Sequence, residues 1–220
     1  MATISEYKHI LRERGIVEIE FDTVSDKILM EIASCFGKIV SGARNEIIQN
    51  LPARNTGEGP IGSFSYCVGY DAFPWHTDTA YWDNPVRYLL LTSENPSPCS
   101  TLYQSFDDIS SSIIDFDNLM LRSIFLLNVA GHKRYLSPKF RDKNGKSGYR
   151  LDFHIYRPMN TEAHLLMKKV EDYLSSHRQS VDWTGSKVAI IDNWRIIHSR
   201  ENAHNDKNRL LKRIYINELD

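Results

Sequence analysis

His76 and Asp78, in the segment FPWHTDTAYW (73–82), are the residues whose types and spacing most directly permit metal chemistry. On an extended strand, positions i and i+2 project to the same face, so an imidazole and a carboxylate converge on one ion. The triplet alone is a weak signal. With 8 His and 28 Asp plus Glu in 220 residues, composition by itself yields about one His-x-Asp/Glu. A second copy exists, His204-Asn205-Asp206, but it lies in the polar stretch ENAHNDKN with no histidine beyond it, and it reads as a solvated loop. His76 and Asp78 have better company. His198 closes the run DNWRIIH, 122 residues downstream of His76. Two imidazoles and one carboxylate make the facial triad of non-heme Fe(II) sites, which leaves three coordination positions open.

Positive charge follows close behind. In RLLKRIYIN (209–217), residues 209, 211, 213, 215 and 217 share one face of a regular strand, so Arg209 and Arg213 point inward with Leu211. Buried guanidiniums are costly unless an anion meets them, and a dicarboxylate supplies one through paired hydrogen bonds. The plainer alternative is a strand whose arginines snorkel or pair with Asp or Glu.

The elements that must position these residues are mostly short strands. SFSYCVGY (63–70), VRYLLLTS (86–93), STLYQSF (100–106), YRLDFHIYRP (149–158), KVAIID (187–192), RIIHS (195–199) and RLLKRIYIN (209–217) are β-branched or aromatic, with breakers between them. Before them come a helix over 5–14, with Ser5 as cap and Gly15 as stop, a strand IVEIEF (16–21), and a second helix opened by Ser25 and stopped at Gly37. Residues 43–62 read as a long loop, 107–116 as a short helix, and 131–149 as a mobile, basic excursion or hairpin around Asn144-Gly145. The stretch LRSIFLLNVA (121–130) is ambiguous. Asn160 caps an amphipathic helix to about Ser176. Strands after a helical start predict a β-sandwich or barrel with helical packing rather than a doubly wound sheet.

The ordered set FPWHTDTAYW, STLYQS, GSKVAIIDNWRIIHSR and NRLLKRIYI resembles the TauD/TfdA-type Fe(II)/2-oxoglutarate-dependent dioxygenases of the clavaminate-synthase-like group. The resemblance runs from about residue 60 onward, and GIVEIEF with IASCFGKIV resembles the family's opening. It implies a mainly β fold with flanking helices around a double-stranded β-helix (jelly roll) core. The expected organisation is one domain over 1–220, with 1–42 packed on the jelly roll and 131–149 as a lid. His76, Asp78 and His198 would hold Fe(II), and Thr101 and Arg209 the far carboxylate of 2-oxoglutarate. Arg213 would sit near the cosubstrate's other end and the substrate's anionic group. Asp78 argues against the halogenating branch, where a small residue leaves room for chloride. The chain is shorter than usual members, which points to a substrate lid trimmed or built differently. The implied reaction uses O2 and 2-oxoglutarate to oxidise, by default hydroxylate, a substrate C–H bond, releasing succinate and CO2.

Thr79 and Tyr81, just beyond the ligand pair, and Tyr66 and Tyr70, on the preceding strand, are the expected substrate-pocket residues, with core packing the plainer alternative for each Tyr. Trp75 and Trp194 read as core, and His132 and His154 as ordinary histidines without ligand partners. A net charge of -1 carries no basic excess for nucleic acid or anionic lipid. Together with Arg213 it favours a small polar substrate, anionic or amino-acid-like. The apolar runs are too short to span a bilayer, no signal peptide is evident, and three scattered cysteines suit a reducing cytoplasm. Self-association stays open. So do two other classes: a cupin-like metal enzyme that does not use 2-oxoglutarate, and a non-catalytic jelly-roll binding module. No GxSxG elbow supports nucleophilic hydrolysis.

Overall fold

Capping chemistry sets the amino-terminal helices in the computed structural model, which describes residues 2–42, 45–61, 63–129 and 132–218. Helix α1 (Ile4–Arg14) is capped by Thr3 rather than by the expected Ser5, because Thr3 and Glu6 close a reciprocal capping box. It ends at Gly15, whose φ of 75° and whose Cβ-excluding contact with Ile196 both require glycine. Strand β1 (Ile16–Glu20) leads to α2 (Asp26–Phe36), capped by Ser25 as expected.

Two strands lie in or beside the supposed loop, β2 (Lys38–Val40) and β3 (Gln49–Pro52); Ala43, Arg44 and Gly62 are outside the described residues. The aromatic segment 63–70 is not a strand. Ser63 caps it by accepting a hydrogen bond from the Tyr66 N–H, and it winds into α3 (Phe64–Val68) before Gly69 turns the chain at φ 63°. Then follow β4 (Tyr88–Ser93), β5 (Ser97–Ser105), α4 (Phe106–Ser112), α5 (Phe116–Arg122) and β6 (Phe125–Val129). The excursion, apart from Gly131, which is not described, forms β7 (His132–Leu136) paired to β6, and a small hairpin of β8 (Lys139–Arg141) and β9 (Ser147–Tyr149). The strand expected over 149–158 is interrupted, because the Asp152 carboxylate accepts the N–H groups of His154 and Ile155 and bends the chain before β10 (Tyr156–Pro158). Asn160 caps α6 (Thr161–Ser176), and β11 (Gln179–Trp183), β12 (Lys187–Asp192), β13 (Ile196–Arg200) and β14 (Leu210–Asn217) complete the order.

The larger sheet runs β1-β12-β4-β14-β2, with β3 also on β14; the smaller one runs β11-β5-β13. Strand alternation divides the core. Leu90, Ile190, Ile214 and Ile216 face α1 and α2, whereas Leu89, Leu91, Ile191, Leu211 and Tyr215 meet Val181, Trp183 and Ile196 of the smaller sheet. A third cluster, around Phe106, Phe125, Leu166 and Ile197, packs the later helices on the smaller sheet's outer side. Each fully buried Leu or Ile contributes about 2 kcal/mol, and these layers fix the inner face from which the site residues project.

Candidate metal centre

Backbone pairing brings the two histidines together. The His76 N–H donates to the His198 carbonyl and the His198 N–H to the His76 carbonyl, both at 2.9 Å. The segment around His76 thereby extends the smaller sheet beyond β13. On its other side, His76 is bridged to Asp152, flanked by Thr77 N–H to Leu151 and Phe153 N–H to Trp75 carbonyl bonds. Directly opposed residues of antiparallel strands place their side chains on the same face. His198, His76 and Asp152 therefore form one row.

After His76 the strand ends, so Asp78 reaches the site from a turn rather than by strand alternation. Asn193, fully buried, fixes that turn: its side chain accepts the Asp78 N–H at 2.7 Å and donates to the carbonyls of Asp78 and Val86. Thr79 sits at φ 53°, unusual for a β-branched residue, with its hydroxyl spent on the Asp78 carbonyl and the Val86 N–H. One donor atom from each of His76, Asp78 and His198 lies within 4.8 Å of the others, and all three residues are buried.

Their chemistry suits a divalent metal. The His76 Nδ1 lies 2.8 Å from the Pro74 carbonyl, which requires a proton on Nδ1 and leaves the Nε2 lone pair free, 3.8 Å from Asp78. Burial pushes the His198 pKa down to about 3, so its imidazole is neutral, and its Nδ1 is buried without a protein partner. Burial, the largest single influence, would raise the Asp78 carboxyl, but the Arg213 guanidinium together with His198 and His76 holds it below its ordinary value. Two imidazoles and an ionised carboxylate with donor atoms this close make a set that a cation completes.

A cavity of about 310 Å³ opens over the triad. Thr101, Arg209, Arg213, Thr79 and Tyr81 all line it. Arg209 is 5% exposed, donates through Nε to the Cys99 carbonyl, leaves Nη2 unpartnered, and pairs with no described acid. Beside it, the buried Thr101 hydroxyl accepts the Trp183 Nε1–H at 3.0 Å. Arg213 donates instead to both Asp78 oxygens and to Gln49.

Tyr66 and Tyr70 do not line the cavity, since the helical turn of α3 carries them away; Phe64 of that helix stands there instead, its ring 4.4 Å from that of His76. Tyr70 packs on Ala53, Cys99 and Ala203. His204 pairs with Asp71 at an exposed position, as a solvated loop residue should. Sequence reasoning missed four contributors: Asn193, Gln49, Asp152 and Arg200. Arg200 is buried, donates to the carbonyls of Gly69, Asp71 and Glu201, and lies 3.7 Å from the Phe73 ring centroid; burial and then Arg209 lower its pKa to about 10. His154, set aside as ordinary, also lines the cavity. Only Arg200 had a usable signal, two residues beyond His198 on the same strand face.

Known structures share this architecture. Asparagine oxygenase, solved with Fe(II), 2S,3S-3-hydroxyasparagine and succinate, aligns with a TM-score of 0.76 at 11% identity, covering 98% of this chain and 79% of that one. The non-heme iron oxygenase OrfP, solved with Fe and α-ketoglutaric acid, aligns at 0.72 and 19%, covering 96% and 78%. This chain has the jelly-roll fold of the iron and 2-oxoglutarate oxygenases. A putative α-ketoglutarate-dependent taurine dioxygenase from Burkholderia xenovorans shows the same oxygenase fold, at 0.72 and 14%, over 97% and 82%. No family model matches the chain, and no curated protein matches it. Among the described residues, no helix is long and apolar enough to cross a membrane.

Proposed function

We propose that the protein is an Fe(II)/2-oxoglutarate-dependent oxygenase that hydroxylates a C–H bond of a small, polar, amino-acid-like molecule. The observation that carries this reading is the juxtaposition of a His76-Asp78-His198 donor set with a buried guanidinium, Arg209, that forms no ion pair among the described residues and leaves Nη2 unpartnered. His76, Asp78 and His198 would hold the iron, and Arg209 with Thr101 the distal carboxylate of 2-oxoglutarate. When bound, the metal and cosubstrate supply the oxidising power by decarboxylating 2-oxoglutarate to succinate with O2.

The chain's residues do the positioning. Asn193 and Thr79 hold the Asp78 turn; Pro74 sets the His76 tautomer. Phe64, Leu211 and Tyr215 give the cavity apolar walls that exclude water. The neighbours favour an amino acid substrate: one was solved with hydroxyasparagine and another, OrfP, with (3S)-hydroxy-L-Arg. Arg209 favours 2-oxoglutarate over a cupin-like chemistry without a keto acid.

Anaerobic titration with Fe(II) and then 2-oxoglutarate tests the reading. A visible metal-to-ligand charge-transfer band saturating at one equivalent is expected, lost in His76→Ala and His198→Ala. A wild-type protein that binds neither component would remove the proposal.

A further inference from the structure

Asp152 lies in the same cavity as the triad but belongs to none of the machinery described so far. It is 4% exposed, and it forms no ion pair with any described cation. One carboxylate oxygen, Oδ1, accepts the N–H groups of His154 and Ile155. Its place in the row with His76 and His198 directs it to the inner face. It is not part of the three-donor cluster. Nor does it orient His76, whose Nδ1 is already taken by the Pro74 carbonyl.

The turn explains a polar acceptor at this position but not a charge, because asparagine offers the same Oδ1. The second carboxylate oxygen of Asp152 has no partner among the described residues, so it is available to a cationic or N–H-bearing group of a ligand in the cavity. Arg209 and Arg213 line the same cavity, the second of them already paired with Asp78.

We infer that Asp152 is the receptor for a primary ammonium group of the substrate, which makes the substrate class an amine with a free amino group. This rests on the oxygenase reading above and sharpens it. Succinate release is measured with the twenty protein L-amino acids, their Nα-acetyl forms and straight-chain primary amines, for the wild type and Asp152→Asn, which preserves the turn. At least one free amine is expected to accelerate release while its acetylated form does not, with kcat/KM at least about 30-fold lower in D152N. Anaerobic calorimetric titration of that amine into the Fe(II)–2-oxoglutarate protein is expected to show the same loss of affinity. The charge-transfer band and the melting temperature of D152N stay at wild-type values. Equal kcat/KM in D152N, equal use of acetylated compounds, or no response to any amine while the band forms would overturn the assignment. Failure of the band to form in the wild type would instead remove the oxygenase reading itself.

Discussion

Arg213 Nη1 donates to both carboxylate oxygens of Asp78, at 3.0 and 2.8 Å, from a strand 135 residues further along the chain. The guanidinium keeps the carboxyl ionised inside a buried site, and Gln49 holds its other nitrogen at 2.7 Å. Replacing Arg213 by Gln removes that cation. The Asp78 carboxyl then rises, since burial pushes it up and its strongest counterweight is gone. Iron affinity should drop about 10- to 100-fold, and the loss should grow as pH falls from 7 to 5. Competitive chelator titrations at several pH values measure it; a pH-independent affinity equal to wild type would contradict the pairing.

Arg209 is a buried cation at the cavity, and its removal should separate stability from binding. Arg209→Met relieves a buried, unpaired charge, so the protein without cosubstrate should melt at the wild-type temperature or above. The wild type should gain about 2.7 kcal/mol from 2-oxoglutarate at one hundred times its dissociation constant, and the variant almost nothing. Thermal melts with and without the keto acid read both effects.

Asn193→Ala deletes three hydrogen bonds that tie the Asp78 turn to Val86. At about 1 kcal/mol each, and with the Asp78 N–H left buried, a loss of roughly 3 kcal/mol in unfolding free energy is expected. Asn193→Asp keeps the acceptor but sets it against two carbonyls, so it should be at least as damaging. Urea unfolding midpoints decide this.

Asp192 gives a pH signature away from the triad. Burial raises its pKa to about 6, despite the Arg87 guanidinium at 2.6 Å. An acid whose folded pKa lies above its unfolded value binds more protons when folded, so stability declines as pH rises from about 4 to 6 and is flat beyond. The span corresponds to roughly 3 kcal/mol at most. The stability difference between wild type and Asp192→Asn should therefore change across this window and level off above it; a constant difference would argue against the raised pKa.

The three donor residues could be read from the sequence because His76-Thr77-Asp78 is joined by His198 at the end of a strand whose apolar pattern is strong, whereas no histidine follows His204. The same holds for β12 and β14, where runs such as KVAIID and RIYI are buried on both faces between helices and the second sheet. Weakly patterned elements were hidden. QNLP gives no strand signal, and β3 exists because β14 offers it an open edge. The α3 segment alternates aromatic and small residues like a strand, yet the Ser63 cap wins locally. Asn193 and Asp152 act through partners 115 residues away and on a neighbouring strand, and no local pattern carries such information. Thr79 lines the cavity next to Asp78, but its hydroxyl faces backbone groups, a distinction that only the turn geometry makes.

The reciprocal peptide pairing of His76 and His198 has a consequence for the life of the chain in a cell. An ion gripped by both imidazoles would act as a clasp across a loop of more than one hundred residues, so metal supply and resistance to unfolding become one property. On that reading, a chain starved of iron would open more often along that seam, where proteases would sample it first.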